Sequence, residues 1–205
     1  MKKIELKSVP AVSGMSTGVR IPRGHTLLQI GAAGTVWRVR TGAFRLERPT
    51  GDGQTVVHLA LADDLVGLEA LCAEPYACTV TALVDSVATP KPMVGEAALS
   101  ATLAAALLQQ QRQSLDMALM RSGTAPVRLG HLLCLLARGF GVPSGGLDRK
   151  ALPALKDMAQ IIDSTHETVC RELPRLLPAR GRPTPAPAPA RSAWLGAATP
   201  FVPQC

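Results

Sequence analysis

The sequence predicts an α+β protein: an N-terminal β-roll of the double-stranded jelly-roll type, one long helix, then two short helices joined by a tight turn. Three observations carry that prediction. Short runs of alternating apolar and polar residues, punctuated by turn residues, occupy the positions up to about 90. From Glu96 to Met120 there is no Gly or Pro, and Ala, Leu and Gln dominate. From Leu155 to Leu173 the apolar spacing is helical on both sides of a break at Asp163.

Composition bounds the answer. A chain of 205 residues with 47% apolar content can build one large or two small cores, and 3% aromatics makes those cores aliphatic. No run of about 18 apolar residues occurs. The start, Met1-Lys2-Lys3-Ile4-Glu5, lacks the apolar stretch of a secretory signal, so a cytoplasmic protein with no membrane partner is expected. Cys72, Cys78, Cys134, Cys170 and Cys205 form no Cys-x-x-Cys pair, which supports neither a disulfide framework nor a four-cysteine metal site. Cys72, Cys78 and Cys134 are expected as buried, inert thiols.

Val36–Arg40 and Ala43–Arg48 alternate around Thr41-Gly42 and read as a hairpin. A turn at Thr50-Gly51-Asp52-Gly53 leads into Gln54–Leu61, Asp63, Asp64 and Gly67 mark another turn, and Thr79–Val84 is a further strand. Strands this short at this spacing suggest a small barrel or roll. In the long helix, Ala101, Ala104, Leu108, Gln111, Leu115 and Ala118 follow the three-then-four spacing of a two-stranded coiled-coil seam. Leu103, Leu107 and Leu119 lie on a neighbouring face and are expected to pack on the roll. The alternative is a helix buried wholly within one chain. Ser122-Gly123-Thr124 ends it, and Pro126–Phe140 is another apolar helix. The expected organisation is a β-roll over 1–95, a dimerisation helix over 96–122, a helix-turn-helix domain over 123–180 and a Pro/Ala-rich tail over 181–205.

In the pair of short helices, Leu155, Met158, Ala159 and Ile162 form the first apolar face, and Asp163 stands where a left-handed turn residue is needed. Ser164 or Thr165 can cap the second helix. Val169 and Leu173 then face inward, leaving His166, Glu167, Cys170 and Arg171 on the opposite side. A carboxylate and a guanidinium one turn apart suit base edges, since Glu accepts from cytosine and Arg grips guanine through two bonds. The plainer reading is a surface helix with an ordinary Glu–Arg pair. Thr165, Thr168, Arg128, Arg175 and Arg180 are candidate phosphate contacts. Charge favours the nucleic-acid reading. Residues 1–120 hold eleven Lys or Arg against ten Asp or Glu, whereas residues 121–191 hold eleven against five. The positive excess thus surrounds the helix pair.

In this order the parts resemble the Crp/Fnr family of bacterial transcription regulators over roughly residues 20–178. The likeness rests on Val36–Arg48, Asp64-Leu-Val-Gly67-Leu-Glu69, Thr79-Val-Thr-Ala82, the helix 96–120, Arg128–Leu136 and Glu167-Thr-Val-x-Arg171. It implies a homodimer joined through the long helix, a winged helix that enters the major groove of double-stranded DNA, and RNA polymerase as a partner. It also implies that Glu167 and Arg171 read bases; an Arg often precedes that Glu in the family, and His166 stands there here.

Two departures change what the likeness implies. The family's cyclic-nucleotide receptors hold ribose and phosphate with a Gly-Glu pair and a later Arg-Ser or Arg-Thr pair. Here the effector-pocket positions are Gly67, Glu69, Tyr76 and Thr79, and residues 49–90 contain six acids and no Lys or Arg. A buried cyclic phosphate would have no local counter-charge, so neither cyclic AMP nor cyclic GMP is expected as the signal. No cofactor or metal is expected: the first cysteine is Cys72, which removes the N-terminal cysteine cluster of an iron–sulfur sensor, and His25 and His58 are lone candidates for haem. The other departure is Pro174, Pro178 and the alternating prolines of 183–189, which cannot donate to a sheet and point to a disordered tail in place of the wing. No nucleophile–base set or phosphate loop marks an enzyme. A protein of this fold that has lost DNA binding and works through partners is the alternative.

Overall fold

The computed structural model describes residues 18–51, 53–92, 95–143 and 146–177. Eight strands form two four-stranded antiparallel sheets. They are β1 (Val19–Ile21), β2 (Thr26–Leu28), β3 (Trp37–Thr41), β4 (Ala43–Thr50), β5 (Gly53–Leu61), β6 (Leu65–Val66), β7 (Thr79–Ala82) and β8 (Ser86–Pro90). One sheet runs β1-β8-β3-β6 and the other β2-β7-β4-β5. Between them lie Ile21, Leu28, Val39, Phe44, Ala60, Val66, Val80 and Ala88, an interior that is aliphatic except for Phe44 and Tyr76.

The hairpin expected at Val36–Arg48 is instead a corner. β3 pairs with β8 and β6, whereas β4 pairs with β5 and β7, so the chain changes sheets at Gly42. Gly42 has φ 91, and a side chain there would collide with Ser86 at the start of β8. The Ala43 N–H donates to Ser86 Oγ at 3.2 Å, which fixes the corner against the opposite strand. Two alternating runs around a glycine look alike whether the chain folds back or crosses over. The true hairpin is β4–β5, closed where Thr50 pairs with Gly53.

Among the described residues four α-helices follow: α1 (Glu96–Arg121), α2 (Ala125–Phe140), α3 (Leu155–Ile161) and α4 (His166–Leu176). α1 lies along the roll with Thr102, Ala106, Gln109, Gln113, Met117 and Met120 inward. This overturns the expectation for Leu103, Leu107 and Leu119, which are 45%, 63% and 49% exposed. The reason is the sheet edge. β6 ends its sheet with unpaired backbone groups, and these must be satisfied where α1 covers them. Gln109 does so twice: its Oε1 accepts from the Leu65 N–H and its Nε2 donates to the Leu65 carbonyl, both at 2.8 Å. Gln113 donates to the Leu59 carbonyl at 3.0 Å. Leucine offers nothing there. The seam residues Ala101, Ala104, Leu108, Gln111, Leu115 and Ala118 are all exposed.

A second apolar core joins the end of the roll to the helices, with Leu61, Leu83, Met120, Leu132, Leu136, Met158, Ile162 and Val169 in one cluster. Ion pairs reinforce this joint. Arg45 on β4 meets Asp157 on α3 at 2.7 Å and Glu47 at 3.1 Å, and Arg23 approaches Asp157 at 3.9 Å. Gln160 donates to the Gln54 carbonyl at 3.0 Å. Cys72 is exposed, Cys78 is part-buried, and half-buried Cys134 is disulfide-bonded, so the reading of these three as buried inert thiols is corrected. Among the described residues no helix is long and apolar enough to cross a membrane. Arg180 and the tail over 181–205 lie outside the described residues.

Candidate functional site

α3 and α4 meet at a turn built by three backbone features. Asp163 takes φ 49, the Ser164 N–H reaches back to the Ala159 carbonyl at 2.9 Å, and Thr165 caps α4 by accepting from the Thr168 N–H at 3.3 Å. The short polar side chain of Asp tolerates the left-handed backbone. Below the turn, Met158 and Ala159 of α3 and Val169 and Leu173 of α4 are buried together. At four-residue spacing, Val169 and Leu173 must share a face. Their burial turns His166, Glu167, Cys170 and Arg171 outward, and all four are exposed.

The electrostatics of that outer face are specific. The Glu167 carboxyl is held below the usual range by hydrogen bonds from its own N–H and from the Thr165 hydroxyl, so it is an anion at neutral pH. Arg171 is not paired with Glu167. Its Nε donates to Glu172 Oε1 at 3.0 Å, and Arg175 Nη1 donates to both Glu172 oxygens at 3.0 Å. The two guanidinium groups hold Glu172 below the carboxylate range. Because Arg171 donates only through Nε in this bond, its terminal nitrogens stay available on an exposed side chain. Glu172 escaped the reading of the sequence, although its three-residue spacing to Arg175 was a signal.

The candidate phosphate contacts divide. Thr168 and Thr165 sit at the α4 N-terminus, where backbone N–H groups favour an anion. Arg175 is exposed but committed to Glu172. Arg128, the third kind, is bonded within the chain: its Nη1 donates to the Asp163 carbonyl at 3.0 Å, and its Nε is buried. It braces the turn. At the other end of α4, Arg149 donates through Nε to the Leu177 carbonyl at 3.0 Å and so satisfies a helix C-terminus. Pro174 stands inside α4 and gives no N–H to the turn before it.

In the roll, the four expected pocket residues answer one another or their own loops. Gly67 has φ 73, and a side chain there would lie 2.7 Å from the Tyr76 ring, so that ring fills the space beside it. Tyr76 is buried and donates its hydroxyl to the Thr35 carbonyl at 2.8 Å. Glu69 Oε1 accepts from the Ala77 N–H at 3.1 Å, and Thr79 Oγ1 accepts from the Ile30 N–H at 3.3 Å. Cys78 beside them is pushed up by burial and by Glu69, with Arg48 opposing more weakly. The Tyr76 ring thus occupies the space beside Gly67, and the polar groups of Glu69, Tyr76 and Thr79 are each engaged within the roll. Among the described residues no three His, Cys, Asp or Glu side chains converge as a metal site.

Residues 18–100 match the model of the cyclic nucleotide-binding domain. Among curated proteins no relative matches. Among solved structures, a CRP-family transcriptional regulator from Thermus thermophilus is 25% identical, with a TM-score of 0.61 over 77% of this chain and 83% of that one. FixK2 from Bradyrhizobium japonicum is similar at 21% identity and a TM-score of 0.58, over 79% and 84% of the two chains. A CRP/FNR-family regulator, also from Thermus thermophilus, is similar at 22% identity and a TM-score of 0.54, over 78% and 84%. Residues 18–100 thus carry the signature of a cyclic nucleotide-binding domain, and over most of its length the chain is similar in fold to transcriptional regulators of the Crp/Fnr family.

Proposed function

We propose that the chain is a sequence-specific DNA-binding transcription regulator that acts as a homodimer and is not controlled by cyclic AMP. The observation that carries this reading is the outward face of α4: Glu167, ionised and fixed by the cap, stands one turn from Arg171 on a helix whose opposite side is buried. A guanidinium and a carboxylate so placed can discriminate base pairs in a major groove. The exposed α1 seam, with Leu108 and Leu115 67% and 68% exposed, supports the dimer. Two copies of α4 related by a two-fold axis then address half-sites about one helical turn apart. The Tyr76-filled roll supports independence from cyclic nucleotide. Selection of bound sites from random DNA tests the reading: a palindromic consensus is expected, and recovery of unenriched sequence overturns it.

Two observations favour a second reading, in which the fold acts through partner proteins without reading DNA. The Arg171–Glu172 bond and Pro174 both bear on the face that has to enter the groove. The same selection separates the two.

A further inference from the structure

Where the roll, α1 and α2 meet there is a cleft of about 830 Å³, within the range of small-molecule sites. It is distinct from the Tyr76 region and from the outer face of α4. Four guanidinium groups line it: Arg38 and Arg40 from β3, Arg112 from α1 and Arg138 from α2. Each meets a partner among the described residues. Arg38 lies 3.9 Å from Asp63, Arg40 donates through Nε to Thr89, Arg112 through Nη2 to Asp64, and Arg138 through Nη2 to Asp116. A guanidinium has five N–H donors, so each keeps donors for another acceptor. Leu59, Leu61, Met117 and Phe140 add apolar surface to the same lining.

We propose that this cleft binds a small organic anion with an apolar body, its carboxylate or sulfonate head held by Arg40 and Arg138 and its body on Leu61 and Phe140. The acids of the cleft are already engaged. Asp64 accepts from the Leu61 N–H at 2.9 Å as well as from Arg112, and Asp116 accepts from Arg138. Asp63 is 84% exposed and turned to solvent. An incoming anion therefore meets unused N–H groups over an apolar surface, where a charge-assisted bond is stronger than in water. Arg suits this because its guanidinium is weakly hydrated and stacks on flat groups. A ligand there touches the roll, α1 and α2 together.

The test uses the full chain and two fluorescent probes of nearly equal shape, 8-anilinonaphthalene-1-sulfonate and its uncharged parent N-phenyl-1-naphthylamine. The sulfonate is expected to bind saturably with at least tenfold higher affinity than the neutral probe. Arg40→Gln with Arg138→Gln should abolish that preference. Ala62→Trp, which adds bulk at the cleft wall without removing any of these bonds, should weaken both probes at least tenfold. Equal affinity for the two probes, or sulfonate binding unchanged in both variants, overturns the proposal; the latter result would place the dye on the exposed leucines of α1. DNA is absent from the assay, so its outcome is separate from that of the DNA-reading test.

Discussion

Arg171 and Arg128 are both arginines near the same turn, and the structure gives them different surroundings. Arg171 is exposed and carries free terminal nitrogens, so Arg171→Ala is expected to cost about 1–3 kcal/mol of binding per half-site and relax preference at one base pair. Glu167→Ala should do the same at a neighbouring pair. Site selection with Arg171→Ala that returns the wild-type consensus would remove this assignment. Arg128 holds the Asp163 carbonyl, and its loss leaves that group bare; Arg128→Ala should lower stability by about 1–3 kcal/mol in urea unfolding. Unchanged stability would show that this bond does not brace the turn. His58 supplies a pH dependence. Burial first, and then the charge of Arg121, hold its imidazole below the ordinary value. The unfolded chain regains that value and binds the proton first, so stability falls as pH drops below about 6.5 and levels off under the folded value. The urea midpoint of His58→Gln should therefore fall less between pH 7 and pH 5 than that of the wild type; parallel curves would refute it. The outward set on α4 was legible because Val169 and Leu173 fix the helix phase. Glu172 and the bracing role of Arg128 were not, because a charged residue's partner is set by where the backbone brings it.

At the scale of elements, α1 shows what periodicity can and cannot give. Its bounds and its exposed stripe follow from spacing alone. Its inner face does not, since a count of apolar residues turns leucines inward, while the covered edge of β6, with its unpaired backbone groups, selects amides. Gln109→Leu should accordingly cost about 1–3 kcal/mol, because it leaves a buried N–H and C=O unpaired although it adds apolar surface. A variant as stable as the wild type would mean that water takes the place of the amide. The opposite face bears the dimer proposal. Leu108→Glu with Leu115→Glu should give monomers in sedimentation that fail to retard a palindromic operator, while a wild-type monomer at micromolar concentration would end the proposal. The corner at Gly42 is a similar case. Local alternation showed two strands and a turn, but only the distant contact with Ser86 shows that the strands belong to different sheets.

For the whole molecule, the order of parts was readable and their docking was not. Arg45 and Asp157 are separated by 112 positions, and nothing in either neighbourhood announces the other. Their pairing ties α3, and through it α4, to the roll. Asp157→Ala should speed amide exchange in α3 and α4 while leaving β4 and β5 unchanged; uniform exchange would show that the apolar core alone sets the docking. The strand order also dictates a sequence of events. β1 pairs with β8, Val19 lying opposite Ala88, and β3 meets β8 as well. A refolding chain therefore cannot close its first sheet until β8 has been brought back to β1 and β3 across long loops, whereas α2, α3 and α4 each form through bonds between neighbouring turns. Loop closure over such distances is slow. The helices should thus be in place while the first strand still waits for its neighbour, and in refolding the far-ultraviolet helical signal should precede the burial of Trp37 on β3.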